Sequence, residues 1–201
     1  MHHRAILQRL RTLLREGTYL VPTRGVPPRQ REALDDIAQR MAAPGADPDA
    51  IRARIEQLRA AGAIDGVVAL SALGVLAASP LVRDYAEASR LAGEQELAAL
   101  QAGGPWRDAQ LASADRHRGV IAYLLGHDVV ALDWFTRALG RERSAENLGN
   151  VLAVLLRLGE EEEARRMVAV MGRVLAPADQ EELGARIRDD DDLVRLRAAA
   201  D

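Results

Sequence analysis

The residues of this 201-residue chain that could do chemistry are four histidines, two carboxylate runs and a scatter of serines. His117 and His127 stand ten apart, near Asp115 and Asp128. On a helix that spacing ends about 80° from a whole number of turns, so the rings diverge and hold no common metal. His127 also follows Gly126, in a turn. His2 and His3 read as a frayed, ordinary terminus. The runs Glu160–Glu163 and Asp189–Asp192 lack the alternating ligands and turn glycine of a calcium loop. The first suits a helix start, where negative charge meets the positive end of the macrodipole; the second reads as a flexible connector. Ser71, Ser79, Ser89, Ser113 and Ser144 have no Gly-x-Ser-x-Gly surroundings. Gly62-x-x-x-Gly66 and Gly103-Gly104 do not form a phosphate cradle between a strand and a helix. No catalytic set assembles, and the expectation is a non-enzymatic protein with no cofactor and no metal.

Composition narrows the chemistry further. All 27 basic residues are arginine, set against 30 acidic residues for a net charge of −3, and there is no lysine or cysteine. Disulfides, thiolate-bound metals, lysine Schiff bases and P-loop lysines are therefore excluded. The apolar runs are short and broken by charge, so no membrane span is expected, and Met1 to Arg15 carries arginines where a secretory signal is apolar. Both features point to a cytoplasmic protein. The charge is uneven. Residues 1–31 hold seven arginines against Glu16 alone, whereas residues 101–201 hold 14 arginines against 18 acids. Abundant Ala, Leu, Arg and Glu with 3% aromatics favour helix, and the fold class read here is all-α.

The elements follow from periodicity and breakers. Residues 4–16 place Ile6, Leu7, Leu10, Leu13 and Leu14 on one helical face, and 18–28 read as a Pro/Gly loop. A second helix over 29–42 buries Leu34, Ile37, Ala38 and Met41. A third over 48–61, capped by Asp47 with Pro48 in its first turn, buries Ile51, Ile55 and Leu58. Residues 63–78 are ambiguous: 64–70 could be a strand, or 67–78 a buried helix. Pro80 suits the start of a long helix, Gly103-Gly104-Pro105 is the clearest break, and beyond Trp106 helices alternate with short turns.

Gly93, Gly126 and Gly159 recur every 33 residues, each followed five residues later by Ala98, Ala131 or Ala164. Two patterns sharing one period imply paired helices, with glycine at the turn and alanine at a close crossing. Gly119, Gly126, Ala131, Phe135 and Ala138 stand where a tetratricopeptide repeat places its small and aromatic residues, and residues 81–190 resemble such an array. The unit at Gly93 is degenerate. The unit with Asn147-Leu148-Gly149-Asn150 keeps Gly159 and Ala164, but its Gly149 precedes Gly159 by ten residues where Gly119 precedes Gly126 by seven. Pro177 closes the array, residues 178–188 read as a capping helix, and Asp189–Arg197 resembles C-terminal tails of bacterial proteins of this type. The resemblance implies a concave groove for a protein or peptide, with Arg116, Tyr123, Asn147 and Asn150 facing it. Phe135 belongs to the core, and Trp134 to the core or to the binding face.

Residues 47–69 resemble the recognition helix and first wing strand of winged-helix regulators of the leucine-responsive and asparagine-regulator type. Gly62 turns the chain, Ile64 anchors the wing and Gly66 opens the strand. That resemblance implies DNA contacts from Arg29, Arg31, Arg52, Arg54 and Arg59, because affinity for DNA follows phosphate neutralisation. The helix itself carries Asp47, Asp49 and Glu56 beside Arg52, Arg54 and Arg59, a net of zero.

The combined expectation is a helical or winged-helix module over 1–78, followed by a tetratricopeptide-like array over 79–201. The function it implies is a non-enzymatic protein-protein interaction adaptor of bacterial type. The alternative is a DNA-binding transcriptional regulator whose repeats sense a partner or dimerise; a homodimer is compatible with either.

Overall fold

The computed structural model describes residues 2–15 and 28–197, and every regular element among them is helical. In chain order these are α1 (His2–Arg15), α2 (Pro28–Ala42), α3 (Pro48–Ala60), α4 (Gly66–Ala78), α5 (Tyr85–Ala102), α6 (Arg107–Leu124), α7 (Asp128–Arg141), α8 (Ala145–Arg157), α9 (Glu161–Val174), α10 (Pro177–Asp189) and a 3-10 helix (Asp191–Leu196). The chain is all-α, as its composition predicts. It divides into two compact units, one of Met1–Pro22 with Ala122–Asp201 and one of Thr23–Ile121.

In the Thr23–Ile121 unit, α3 starts where the sequence places it. Asp47 accepts from the Asp49 amide at 2.9 Å, Pro48 occupies the first turn, and Ile51, Ile55 and Leu58 are buried. The ambiguous stretch 63–78 forms helix from Gly66, not a strand from Ile64. Asp65 caps it by accepting from Val68 N at 2.9 Å, and is itself held by Gln30 Nε2 at 3.0 Å. α4 is apolar on nearly every side because it is enclosed: α2, α3 and α5 all pack on it. Its Ala69, Ala72 and Ala77 share one buried cluster with Ala88 and Leu91 of α5, and small residues let the two helices approach closely. The long helix begins at Tyr85 behind an Asp84 cap, later than Pro80. Gly93 lies inside α5, so the first of the three spaced glycines makes no turn.

In the other unit, Ile6, Leu7 and Leu10 bury one face of α1, which packs against α7 and α9. Arg9 pairs with Asp133 at 2.6 Å, and His3 lies 3.7 Å from Glu160. The terminus expected to fray is thus the first turn of a docked helix. α7 packs on α8, α8 on α9, and α10 on both α8 and α9.

Gly126 and Gly159 share one turn geometry. Their φ values are +76° and +79°, a region open to glycine because it has no Cβ. Gly126 N donates to Tyr123 O at 3.0 Å and Gly159 N to Leu156 O at 3.1 Å. The next residues donate in the same way, His127 N to Ala122 O and Glu160 N to Leu155 O, both at 2.8 Å. Ala131 and Ala164, five residues on, are fully buried.

Candidate functional site

Tyr123 ends in the last turn of α6 and Arg157 is the last residue of α8. The Tyr123 carbonyl, which accepts from Gly126 N in the turn, also accepts from Arg157 Nη2 at 2.8 Å. The same nitrogen pairs with Asp128 Oδ1 at 2.7 Å, in the first turn of α7. The guanidinium lies 3.9 Å from the Tyr123 ring centroid, a cation-π stack. The phenol then donates to Asp192 Oδ2 at 2.9 Å, in the 3-10 helix. Burial, with the Asp192 carboxylate beside it, raises the Tyr123 pKa above its ordinary value of 10.

The 3-10 helix is seated by its own leucines. Asp190 caps it, accepting from Asp192 N at 2.9 Å, and the segment packs against α8, α9 and α10. Leu193 and Leu196 are 0% exposed, while Val194 between them is 42% exposed. Next to this seat, Arg186 of α10 crosses Gly149 of α8 and donates to Glu146 O at 3.3 Å. A Cβ on Gly149 would stand 2.9 Å from Arg186 Nη1, so the missing side chain lets the guanidinium pass. The aspartate run read as a flexible connector therefore supplies a helix cap and the Tyr123 acceptor.

The four residues assigned to a groove are not equivalent. Tyr123 belongs to the cluster just described, and Asn150 is half-buried on α8. Asn147 is fully buried, and its Nδ2 donates to Glu142 O at 2.9 Å. It stands in the first turn of α8, where Ser144 caps its amide at 3.2 Å, so the side chain ties down the preceding loop. Arg116 is half-buried on α6 in the other unit. The offset of 33 residues carries Arg116 onto Gly149 and Tyr123 onto Leu156, which resolves the ten-against-seven mismatch in the glycine spacing. The sequence reading missed Arg157, Arg186 and Asp192.

Among the arginines assigned to nucleic acid, Arg54 pairs with Asp36 at 2.8 Å and Arg59 with Glu56 at 2.7 Å. The Arg54 hydrogen bond holds the Asp36 carboxyl below its ordinary pKa. Arg31 is exposed on α2 and Arg52 half-buried on α3; Arg29 lies in α2 with its side chain outside the described residues.

His117 sits in a separate polar network of the Thr23–Ile121 unit. Gln95 Nε2 donates to Gln110 O at 3.3 Å, which turns its Oε1 toward His117 Nδ1, 3.1 Å away. Burial, helped by the Arg116 charge, pushes the His117 pKa down to about 3, so the neutral ring donates from Nδ1. Among the described residues no group of three His, Cys, Asp or Glu is placed to hold a metal ion. Nor is any helix among them long and apolar enough to cross a membrane. Comparison of the chain with protein-family models, characterised proteins and solved structures gave no significant match.

Proposed function

We propose that the chain is a non-enzymatic protein-protein interaction adaptor. Its tetratricopeptide-like array presents a groove to a protein or peptide. The observation that carries this reading is the pair of turns at Gly126 and Gly159, 33 residues apart, alike in φ and hydrogen bonds and each followed five residues on by a fully buried alanine, Ala131 or Ala164. A supersecondary unit repeated in this way cannot bury its apolar face alone. Stacking the units creates a continuous core and an extended surface suited to peptides. Tyr123 and Asn150 are the residues of that surface we assign to recognition.

The reading is tested with random peptides displayed on phage and selected on the immobilised full chain. Enriched peptides share a motif and lose binding to a Tyr123→Ala, Asn150→Asp chain that still melts cooperatively. Absence of enrichment overturns the reading, as does binding that the variant retains in full.

A further inference from the structure

The Asp190–Arg197 segment does not simply extend the helical array. It leaves α10, packs on α8, α9 and α10, and reaches Tyr123 at the end of α6. Its attachment has the form of a bound peptide. Asp192 accepts from the Tyr123 phenol at 2.9 Å. Leu193 and Leu196, three residues apart, are wholly buried, and Val194 and Arg195 face outward. A six-residue 3-10 run has poor hydrogen-bond geometry of its own, so two leucines and one carboxylate supply most of its hold. We propose that the surface beneath this segment is a peptide-docking site. The chain's own Asp190–Arg197 is its resident occupant, and a partner carrying a carboxylate followed directly by Leu-x-x-Leu displaces it.

This inference rests on the adaptor reading and names the chemistry of its partner. Leu196 and Leu193 fix the apolar spacing, the Tyr123 phenol requires an acceptor immediately before the first leucine, and the outward positions leave the intervening residues free. Asp190, which caps the run, adds a second acidic position two residues upstream. The tether adds to the hold of these side chains. A ligand joined to its site by a short connection experiences an effective concentration of about millimolar, so it outcompetes a free peptide of equal intrinsic affinity. A partner therefore binds only when it is more complementary than the resident segment, or is itself locally concentrated.

The test uses the full chain in two forms that alter the occupant and leave the seat intact: Leu193→Ser with Leu196→Ser, and the milder Asp192→Ala. The probe is a fluorescein-labelled peptide with the sequence of residues 190–197, read by fluorescence anisotropy. The double-leucine variant binds it at least about tenfold more tightly than the wild-type chain does, and Asp192→Ala about twofold to tenfold more tightly, the effect of one lost hydrogen bond on the resident segment. Adding Tyr123→Phe to either lowers that affinity, and a probe with serine at both leucine positions does not bind. Equal affinity for wild type and Asp192→Ala overturns the proposal. So does a chain that fails to fold with both leucines replaced, because the segment is then core and not a ligand. A wild-type dimer that dissociates when those leucines are replaced assigns the seat to a second copy, and overturns the partner assignment. Phage selection that enriches a motif unrelated to this one sinks only this inference, whereas no enrichment sinks the adaptor reading beneath it.

Discussion

The Tyr123 phenol donates to Asp192 Oδ2 across 69 residues of sequence while its ring lies under the Arg157 guanidinium. One side chain thereby joins the end of α6, the end of α8 and the 3-10 helix. Its two interactions are chemically separable. Tyr123→Phe removes the hydrogen bond and keeps the stack, and should cost about 0.5–1.5 kcal/mol in urea denaturation. The same substitution in an Asp192→Ala background should cost almost nothing, since the acceptor is already gone.

The three spaced glycines should answer differently to alanine. Gly126→Ala and Gly159→Ala force a Cβ into a left-handed backbone and should each cost about 1–2 kcal/mol. Gly93→Ala, inside α5 with no contact nearer than 3.9 Å to the added carbon, should stabilise by up to about 1 kcal/mol. Thermal melts of the three variants check the sign as well as the size.

Gly149 and Arg186 should be coupled. Alone, Gly149→Ala displaces the guanidinium from Glu146 O, and the lost hydrogen bond offsets the helix-propensity gain. In an Arg186→Ala background only the gain remains, about 1 kcal/mol in favour of alanine. A double-mutant cycle showing additive effects would refute the contact.

His117 should make stability depend on pH. Its folded-state pKa of about 3 lies below the ordinary 6.5, so the unfolded chain takes up the proton first. The contribution is complete above pH 6.5 and is lost as pH falls toward 3. His117→Asn keeps a donor for Gln95 and cannot titrate. Between pH 6.5 and 4.5 its melting temperature should fall less than that of the wild type; parallel curves would refute the assignment.

Local chemistry was legible wherever a residue acts on its own neighbours. Asp47 and Pro48 announce α3 because cap and first turn are two residues apart, and Gly126 and Gly159 announce turns because glycine adopts their φ without the steric cost a Cβ brings. The same logic misread Gly93, since a glycine inside a helix looks identical to one at its end. It also left 63–78 open. A run that is apolar on all sides fits a strand or a buried helix equally well, and only the enclosure of α4 by α2, α3 and α5 decides between them.

The sequence by itself determined a mainly helical chain, the 33-residue spacing of the Gly126 and Gly159 turns and the absence of lysine and cysteine chemistry. These depend on composition and on interactions within a few residues. Tertiary structure alone decided what the polar residues do. Asn147 became a buried tie to Glu142 and Gly149 a passage for Arg186. The Asp189–Asp192 run became a cap and an acceptor for Tyr123. A carboxylate has no fixed role until a donor is brought to it, and the donor here lies 69 residues away.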